Sequence, residues 1–258
     1  MLSVVKVGGA AVSDAEGLQR LVQDVASLPG NAVVVHGGGK EISAWQERLE
    51  LPVEWRDGLR VTGPDALQVT AMVLSGWMNK RVVQAFEDRG VTAVGISGED
   101  GSLIQAVPAQ GGALGAVGEV VRVRPDLLEA LLGAGFHPVV SPVSRGPDGH
   151  PLNVNADEAA LHVAAAIGAD RMYLVSDVPG VLDEGEVLRE LSLDRARALV
   201  EEGVAQGGMA VKLRQALVAA RAGVEVAIGD GRILRDFRAG TVLHGAKEGV
   251  VGAVEVAS

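Results

Sequence analysis

The chain has no cysteine among its 258 residues. Disulfides, thiolate nucleophiles and cysteine-based zinc sites are therefore excluded. No window holds roughly eighteen uncharged apolar residues, so no membrane-spanning helix is expected. The N-terminal stretch MLSVVKVGG has no basic segment ahead of a long apolar one, which leads to the expectation of a cytoplasmic protein. Positive charge is also short: 23 Lys and Arg face 33 Asp and Glu, a formal charge of −10. That balance argues against a nucleic-acid binder. It also requires any site for an anion to build a positive field of its own. Only five of the 23 basic residues are lysines, namely Lys6, Lys40, Lys80, Lys212 and Lys247. Where arginine is the default cation, a retained lysine marks a place that needs a compact ammonium.

One tempting motif is missing too. The stretch VVVHGGGKE, Val33 to Glu41, resembles a phosphate loop of the Walker type. That loop needs a glycine five positions before Gly39 and a Ser or Thr after the lysine. Here those positions hold Val34 and Glu41. The dinucleotide spacing G-x-G-x-x-G fails as well. Three bare residues at the end of an apolar run therefore need another reason.

What is present is an alternation of apolar runs and amphipathic stretches along the chain. LSVVKV reads as a strand, and the helix after it opens with a capping box, Ser13 with Glu16. NAVVVH is a strand and EISAWQERLE a helix. A long helix is expected from about residue 65 to 88, with Pro64 suited to its first turn. TAVGIS is a strand, residues 102–122 read as hairpins, DLLEALLGAG as a helix and HPVVSPV as a strand. From Ala156 the pattern runs helix, strand RMYLVSD, two helices near 191–203 and 209–222, and strand VEVAIGD. No internal repeat is found. The expected fold is α/β, a three-layer αβα sandwich with a mainly parallel central sheet. Two lobes are expected, residues 1–175 and 176–258, because a second strand–helix cycle begins near Val175.

Ligands of such open sheets sit beyond the carboxyl ends of the strands. Several unusual features fall there. KVGGA, Lys6 to Ala10, places a lysine inside a strand ahead of glycines whose N–H groups can approach an anion. Gly37, Gly38 and Gly39 end a second strand, so two backbone nests can line one cleft. In RDGLRVT, Arg60 offers a planar fork that suits a carboxylate. In NVNADEAA, Asn153 and Asn155 share one side of an extended segment, and Asp157 opens a helix. In GGMAVKLRQAL, Lys212 lies one turn into a helix, where the dipole disfavours a cation unless an anion is close. SDVPGVL, Ser176 to Leu182, leaves a strand through turn residues suited to a nucleotide.

Taken in order, KVGG, VVVHGGGKEI, GLRVT, NKRVV, GISGEDG, VGEV, HPVVSPV, NVNADEAA, YLVSDVPGVL and GGMAVKL resemble the amino-acid kinase family over nearly the whole chain. GLRVT and NVNAD point to its acetylglutamate-phosphorylating branch. The resemblance implies that residues 1–175 bind the acceptor, N-acetyl-L-glutamate, and mediate dimerisation, while residues 176–258 bind ATP. By position, it implies that Lys6 and Lys212 neutralise the transferring phosphoryl and that Asp157 orients them. Gly38 and Gly39 would donate N–H groups, and Arg60 and Asn153 would hold the acceptor's α end. Gly9, Asp177, Val178, Pro179, Gly180, Val181 and Leu182, with Val204, Ala205 and Gln206, would line the nucleotide site. Mg²⁺ is expected to arrive with ATP, with no metal site of the protein's own. The chain starts at its first strand, without the extra N-terminal helix of arginine-inhibited hexameric members. The resemblance therefore implies an arginine-insensitive homodimer joined through the 65–88 helix. VAIGDGR, Val226 to Arg232, departs from the family's pattern near the adenine.

The chemistry fits these residues. A side-chain carboxylate with a pKa near ~4.3 is already the ionised nucleophile at neutral pH and needs no general base. The obstacle is repulsion, roughly 4 kcal/mol per unit-charge pair at ~4 Å and an effective dielectric of ~20. Two rivals stand beside this reading. One is the sister kinase that phosphorylates an α-aminoadipyl or glutamyl group on an acidic carrier protein, which would want a basic docking face. The other is an inactive binding protein on the same fold, which should have lost Lys6, Lys212 or Asp157.

Overall fold

The computed structural model describes residues 1–8, 14–56 and 59–245. Its elements follow the alternation read from the sequence. Strand β1 (Leu2–Val7) leads to helix α1 (Ala15–Ala26), β2 (Asn31–His36) and α2 (Gly39–Arg48). A short hairpin, β3 (Trp55–Arg56) and β4 (Leu59–Arg60), precedes α3 (Pro64–Ala71), a π-helical stretch (Met72–Met78) and α4 (Asn79–Glu87). Then come β5 (Ala93–Gly98), β6 (Ile104–Pro108), β7 (Val117–Val123), α5 (Asp126–Gly133), β8 (His137–Arg145), β9 (Pro151–Val154) and α6 (Ala156–Ala166). The last part holds β10 (Arg171–Val175), the small pair β11 (Leu182–Asp183) and β12 (Glu186–Val187), β13 (Glu190–Leu191), α7 (Leu193–Glu201), α8 (Gly207–Arg221), β14 (Glu225–Gly229) and β15 (Thr241–Leu243).

Eleven strands form one sheet in the order β13-β15-β14-β10-β1-β2-β8-β6-β7-β9, with β5 also paired to β8. The central pairs β14–β10, β10–β1, β1–β2 and β2–β8 are all parallel. Antiparallel pairs lie outside them: β14–β15, β6–β7 and β8–β9. Strand side chains alternate between faces, and the valine-rich central strands fill both. Val4, Val33, Val35, Leu174 and Ile228 pack against α6 and α8 through Ala160, Leu161, Leu213 and Ala216. Val5, Val7, Val34, Tyr173 and Ala227 pack on the other face, against Leu21 and Val22 of α1 and Val69, Leu74 and Phe86 of the long helix. Continuous apolar runs are what a parallel sheet covered on both faces requires.

Two local expectations are corrected. The first helix is capped by Asp14, whose carboxylate accepts the Gly17 N–H at 2.7 Å. The helix begins one residue later than the capping box implied, and a charged Asp at the cap gains from the helix dipole. Ser13 lies outside the described residues. The long helix is continuous and opens on Pro64 as expected, but its middle seven residues, Met72–Met78, are π-helical. One extra residue per turn is invisible to hydrophobic periodicity. Among the described residues no helix is long and apolar enough to cross a membrane.

Candidate functional site

Lys6 is the one charged residue of β1, and alternation with Val4 sends it to the face covered by α6 and α8. Those helices each bring one partner. Asp157 stands in the first turn of α6, where the Asn155 side chain caps the helix by accepting the Asp157 N–H at 2.8 Å. Its Oδ1 lies 2.7 Å from Lys6 Nζ and its Oδ2 accepts from Lys212 Nζ, on α8, at 2.6 Å. All three side chains are largely buried, with exposures of 9% for Lys6 and Asp157 and 16% for Lys212. Burial by itself would raise the Asp157 pKa, but the two ammonium groups outweigh it and hold the carboxyl below its ordinary range. Burial, with the charge of Lys212, lowers that of Lys6 against the pull of Asp157.

The glycine loop follows from the register. Lys6 pairs with Val35 and Val7 with His36, so Gly37 emerges beside Gly8, and its N–H donates to the Val7 carbonyl at 3.0 Å. Gly38 is closely packed: a Cβ there would sit 2.8 Å from Leu74 Cδ2 and 3.2 Å from Met78 Cγ, so the leucine would have to shift. Helix α2 starts at Gly39 with no side-chain cap. No side chain from the cap position therefore takes its first N–H groups. Behind the loop, His36 is fully buried, and burial holds its pKa down to about 4. The neutral ring donates from Nδ1 to the Gly37 carbonyl (3.0 Å), which leaves Nε2 to accept from the Asn79 amide (3.2 Å). Asn79 also donates to the carbonyls of Ile96 and Val139.

Arg60 lines the same cavity. Its guanidinium donates to Gln46 Oε1 (2.6 Å), Ser43 Oγ (2.7 Å) and the Gly39 carbonyl (2.9 Å), and lies 4.5 Å from the ring centre of Trp55. Asn153 is held by its amide donating to Thr62 Oγ1 at 3.1 Å, and that hydroxyl donates to the Arg60 carbonyl. Lys6, Gly38, Gly39, Arg60, Asn153 and Asp157 all line one open cavity of ≈ 230 Å³. Lys212 joins it through Asp157.

The remaining expected residues lie outside this cavity. Lys6 is flanked by Leu174 of β10, whose carboxyl end leads into Asp177 to Leu182. Asp177 is exposed, and its charge acts on Lys6. Val178 and Pro179 are half-buried and Leu182 is exposed. Gly180 is closely packed, with Thr241 Oγ1 and Val187 Cγ1 each 2.7 Å from where a Cβ would be. Val181 and Ala205 are buried in the core under α6 and α8, while Val204 and Gln206 are exposed at the entry to α8. None of these lines the cavity of Lys6 and Arg60. Gly9 lies outside the described residues.

Sequence reasoning missed Ser43, Gln46, Trp55, Thr62, His36 and Asn79. Gln46 left a signal: it sits four residues after Ile42, on the buried face of α2, where an apolar residue is the norm. Glu158 was missed as well. Strand β9 pairs with β7 only as far as Gly118. The Glu158 carboxylate then takes the place of a strand, accepting the Val120 N–H at 2.7 Å. Burial pushes its pKa up to about 7.

The pattern of the amino acid kinase family matches residues 1–230. The acetylglutamate kinase of Synechococcus sp. (strain CC9605) is 46% identical over 239 residues, spanning 89% of this chain and 82% of that protein. Among solved structures, a protein of Streptococcus mutans UA159 superposes with a TM-score of 0.81 at 27% identity, covering 95% of this chain and 98% of its own. Carbamate kinase from Giardia lamblia bound to AMP-PNP superposes with a TM-score of 0.73 at 15% identity, covering 94% and 98%, a likeness of fold alone.

Proposed function

The chain belongs to the amino acid kinase family, and from that membership we propose that it transfers the terminal phosphoryl group of ATP to the side-chain carboxylate of N-acetyl-L-glutamate, the acyl-phosphate-forming step of arginine biosynthesis. The likeness to acetylglutamate kinase supports the acceptor. The observation that carries the chemistry is the bridge of Lys6 and Lys212 on one carboxylate, at the wall of a cavity that Arg60 also lines.

In this reading the acceptor lies along the cavity. Its α-carboxylate meets Arg60 and the side chain of Asn153. Its reacting carboxylate meets the N–H groups at Gly38 and Gly39, opposite Lys6. The reacting carboxylate needs no base, because it is ionised at neutral pH. Catalysis then consists of alignment and charge neutralisation. Lys6 and Lys212 sit against the phosphoryl oxygens as charge passes across them, and Asp157 holds both ammonium groups in place without itself moving a proton. Asp177 to Leu182 and Val204 to Gln206, on the far side of β1, are the nucleotide's side. Residues 1–175 thus form an acceptor lobe and residues 176–258 a nucleotide lobe.

Among the described residues no three His, Asp or Glu side chains gather as a metal cage. Mg²⁺ is read as part of the nucleotide substrate, as for kinases that use Mg·ATP, and when bound it supplies further neutralisation of the phosphates. A homodimer through the long helix is supported by Met72 and Trp77, which stand 62% and 57% exposed on it. A cytoplasmic location fits a small-molecule kinase of this kind.

The test is to incubate the purified protein with Mg·ATP and N-acetyl-L-glutamate and trap the acyl phosphate as its hydroxamate. Glutamate and aspartate run in parallel. Hydroxamate from the acetylated substrate alone is the expected result. ATP binding without any product would move the acceptor to a carrier-linked carboxylate.

A further inference from the structure

The Arg60 fork is gripped before any ligand arrives. Gly39, Ser43 and Gln46 are spaced four and three residues apart along α2, so they stack on one helical face. Each rung accepts from the same guanidinium: the Gly39 carbonyl and Ser43 Oγ from one terminal nitrogen, Gln46 Oε1 from the other. Ser43 also donates to the Gly39 carbonyl at 3.0 Å, which ties the rungs together. Gln46 is fully buried, and its amide nitrogen donates to the Pro52 carbonyl at 3.3 Å. Both ends of its amide are thus used, and the orientation of its oxygen toward Arg60 is fixed.

A guanidinium has five N–H donors, and three are committed here. The ladder is neutral, so it orients the fork without cancelling its charge. A carboxylate in the place of Gln46 would hold Arg60 equally well, but would compete with the ligand for it. The top rung is the glycine whose peptide opens α2 at the reacting end of the cavity. Arg60 and the glycine loop are therefore one unit through the Gly39 carbonyl.

We propose that Gln46, with Ser43, is a positioning residue for substrate choice: it presets the Arg60 fork, so the site demands a free α-carboxylate on the acceptor. This rests on the kinase reading above. An acceptor whose α-carboxylate is replaced by an amide keeps its reacting carboxylate but brings N–H donors to a fork that is itself all donor. The ladder prevents Arg60 from turning aside to relieve that clash.

The experiment compares N-acetyl-L-glutamate with its α-amide in the hydroxamate assay, for the wild type, Gln46→Met and Ser43→Ala. Methionine matches glutamine in length and fills the same buried volume without an acceptor. In Gln46→Met, KM for N-acetylglutamate is expected to rise about tenfold, the effect of one lost charge-assisted hydrogen bond. The turnover number and the KM for ATP stay nearly constant. The preference for acid over α-amide, as a ratio of kcat/KM, falls by about the same factor. Ser43→Ala moves the ratio in the same direction by less, and stands in if Gln46→Met does not fold. An unchanged ratio, or activity lost equally on both substrates, overturns the proposal and leaves Gln46 a packing residue. No hydroxamate from the wild type with either substrate overturns the kinase reading itself, and this inference with it.

Discussion

The two ends of the cavity solve the same problem differently. Each presents positive charge to an anion in a chain of formal charge −10. At the Arg60 end a single guanidinium is held by an amide oxygen, a hydroxyl and a carbonyl, all neutral. At the Lys6 end two ammonium groups share one carboxylate. The difference follows from charge counting. Two buried ammonium groups repel each other, so a shared carboxylate is needed to offset their charge. The trio still carries a net positive charge. One guanidinium has no such rival, and a neutral cradle leaves all of its charge to the ligand.

Breaking the charged end should have the largest effect. Lys6→Ala or Lys212→Ala is expected to lower kcat by about 10³-fold, the scale for losing a preorganised group at the site of developing charge. KM for N-acetylglutamate should change far less, and steady-state hydroxamate kinetics separate the two. Asp157→Asn comes next. It leaves two buried ammonium groups without a counter-charge, which costs about 3–5 kcal/mol of stability. Denaturant unfolding should show the loss together with reduced kcat. A stability equal to wild type would mean that the lysines are not held charged by Asp157.

The neutral end should break in another parameter. Arg60→Lys keeps the charge but loses the fork, so it cannot reach Gln46, Ser43 and Gly39 together. KM for the acceptor is expected to rise roughly 10- to 100-fold, from the ~1.5–3 kcal/mol of hydrogen bonds to a charged group. A fall in kcat with KM unchanged would contradict the division of labour between the ends.

The smallest effect sharpens the role of the counter-charge. Asp157 and Glu158 are adjacent carboxylates, but only Asp157 has lysine partners. Glu158 is pushed up to about 7, above its ordinary 4.5. Stability linked to it is therefore full below pH 4.5 and is lost as pH rises through 7. Glu158→Gln should stabilise the protein at pH 8, by about 3 kcal/mol at most, and not at pH 4.5. His36 has the opposite slope. Held down to about 4, it favours folding above pH 6.5 and ceases to as pH falls toward 4. The acid loss should therefore be steeper in Glu158→Gln than in wild type, as thermal unfolding across pH 4 to 8 would report.

Much of this was readable along the chain because it rests on local rules. The strand–helix alternation, the lysine inside a strand, the glycines at strand ends and Pro64 at a helix start are each signals within a few residues. Arg60, Asn153 and Asp157 were nameable because they stand beside turn and cap residues. Where the expectation failed, the deciding atoms were one residue away, as with Asp14 in place of Ser13, or lay across the sheet. The π-helical turn belongs to the second kind. Leu74 and Met78 close on Gly38, and Ser75 meets Ser141 at 2.7 Å, contacts that no window along the long helix contains.

The sequence by itself marked the main strands and helices, because burial on two faces and the need for bare backbone at loops leave a local pattern. It also pointed to Lys6, Lys212 and Arg60, of which Lys6 and Arg60 line one cavity and Lys212 pairs with its Asp157. Only the tertiary structure decided what holds them. Asp157 meets Lys212 across 55 residues of chain because the sheet register stacks α6 beside α8. Gln46 meets Arg60 because the β3–β4 hairpin folds back over α2. Such partners are selected by distance in space, and distance in space follows from the packing of layers, not from the order of residues.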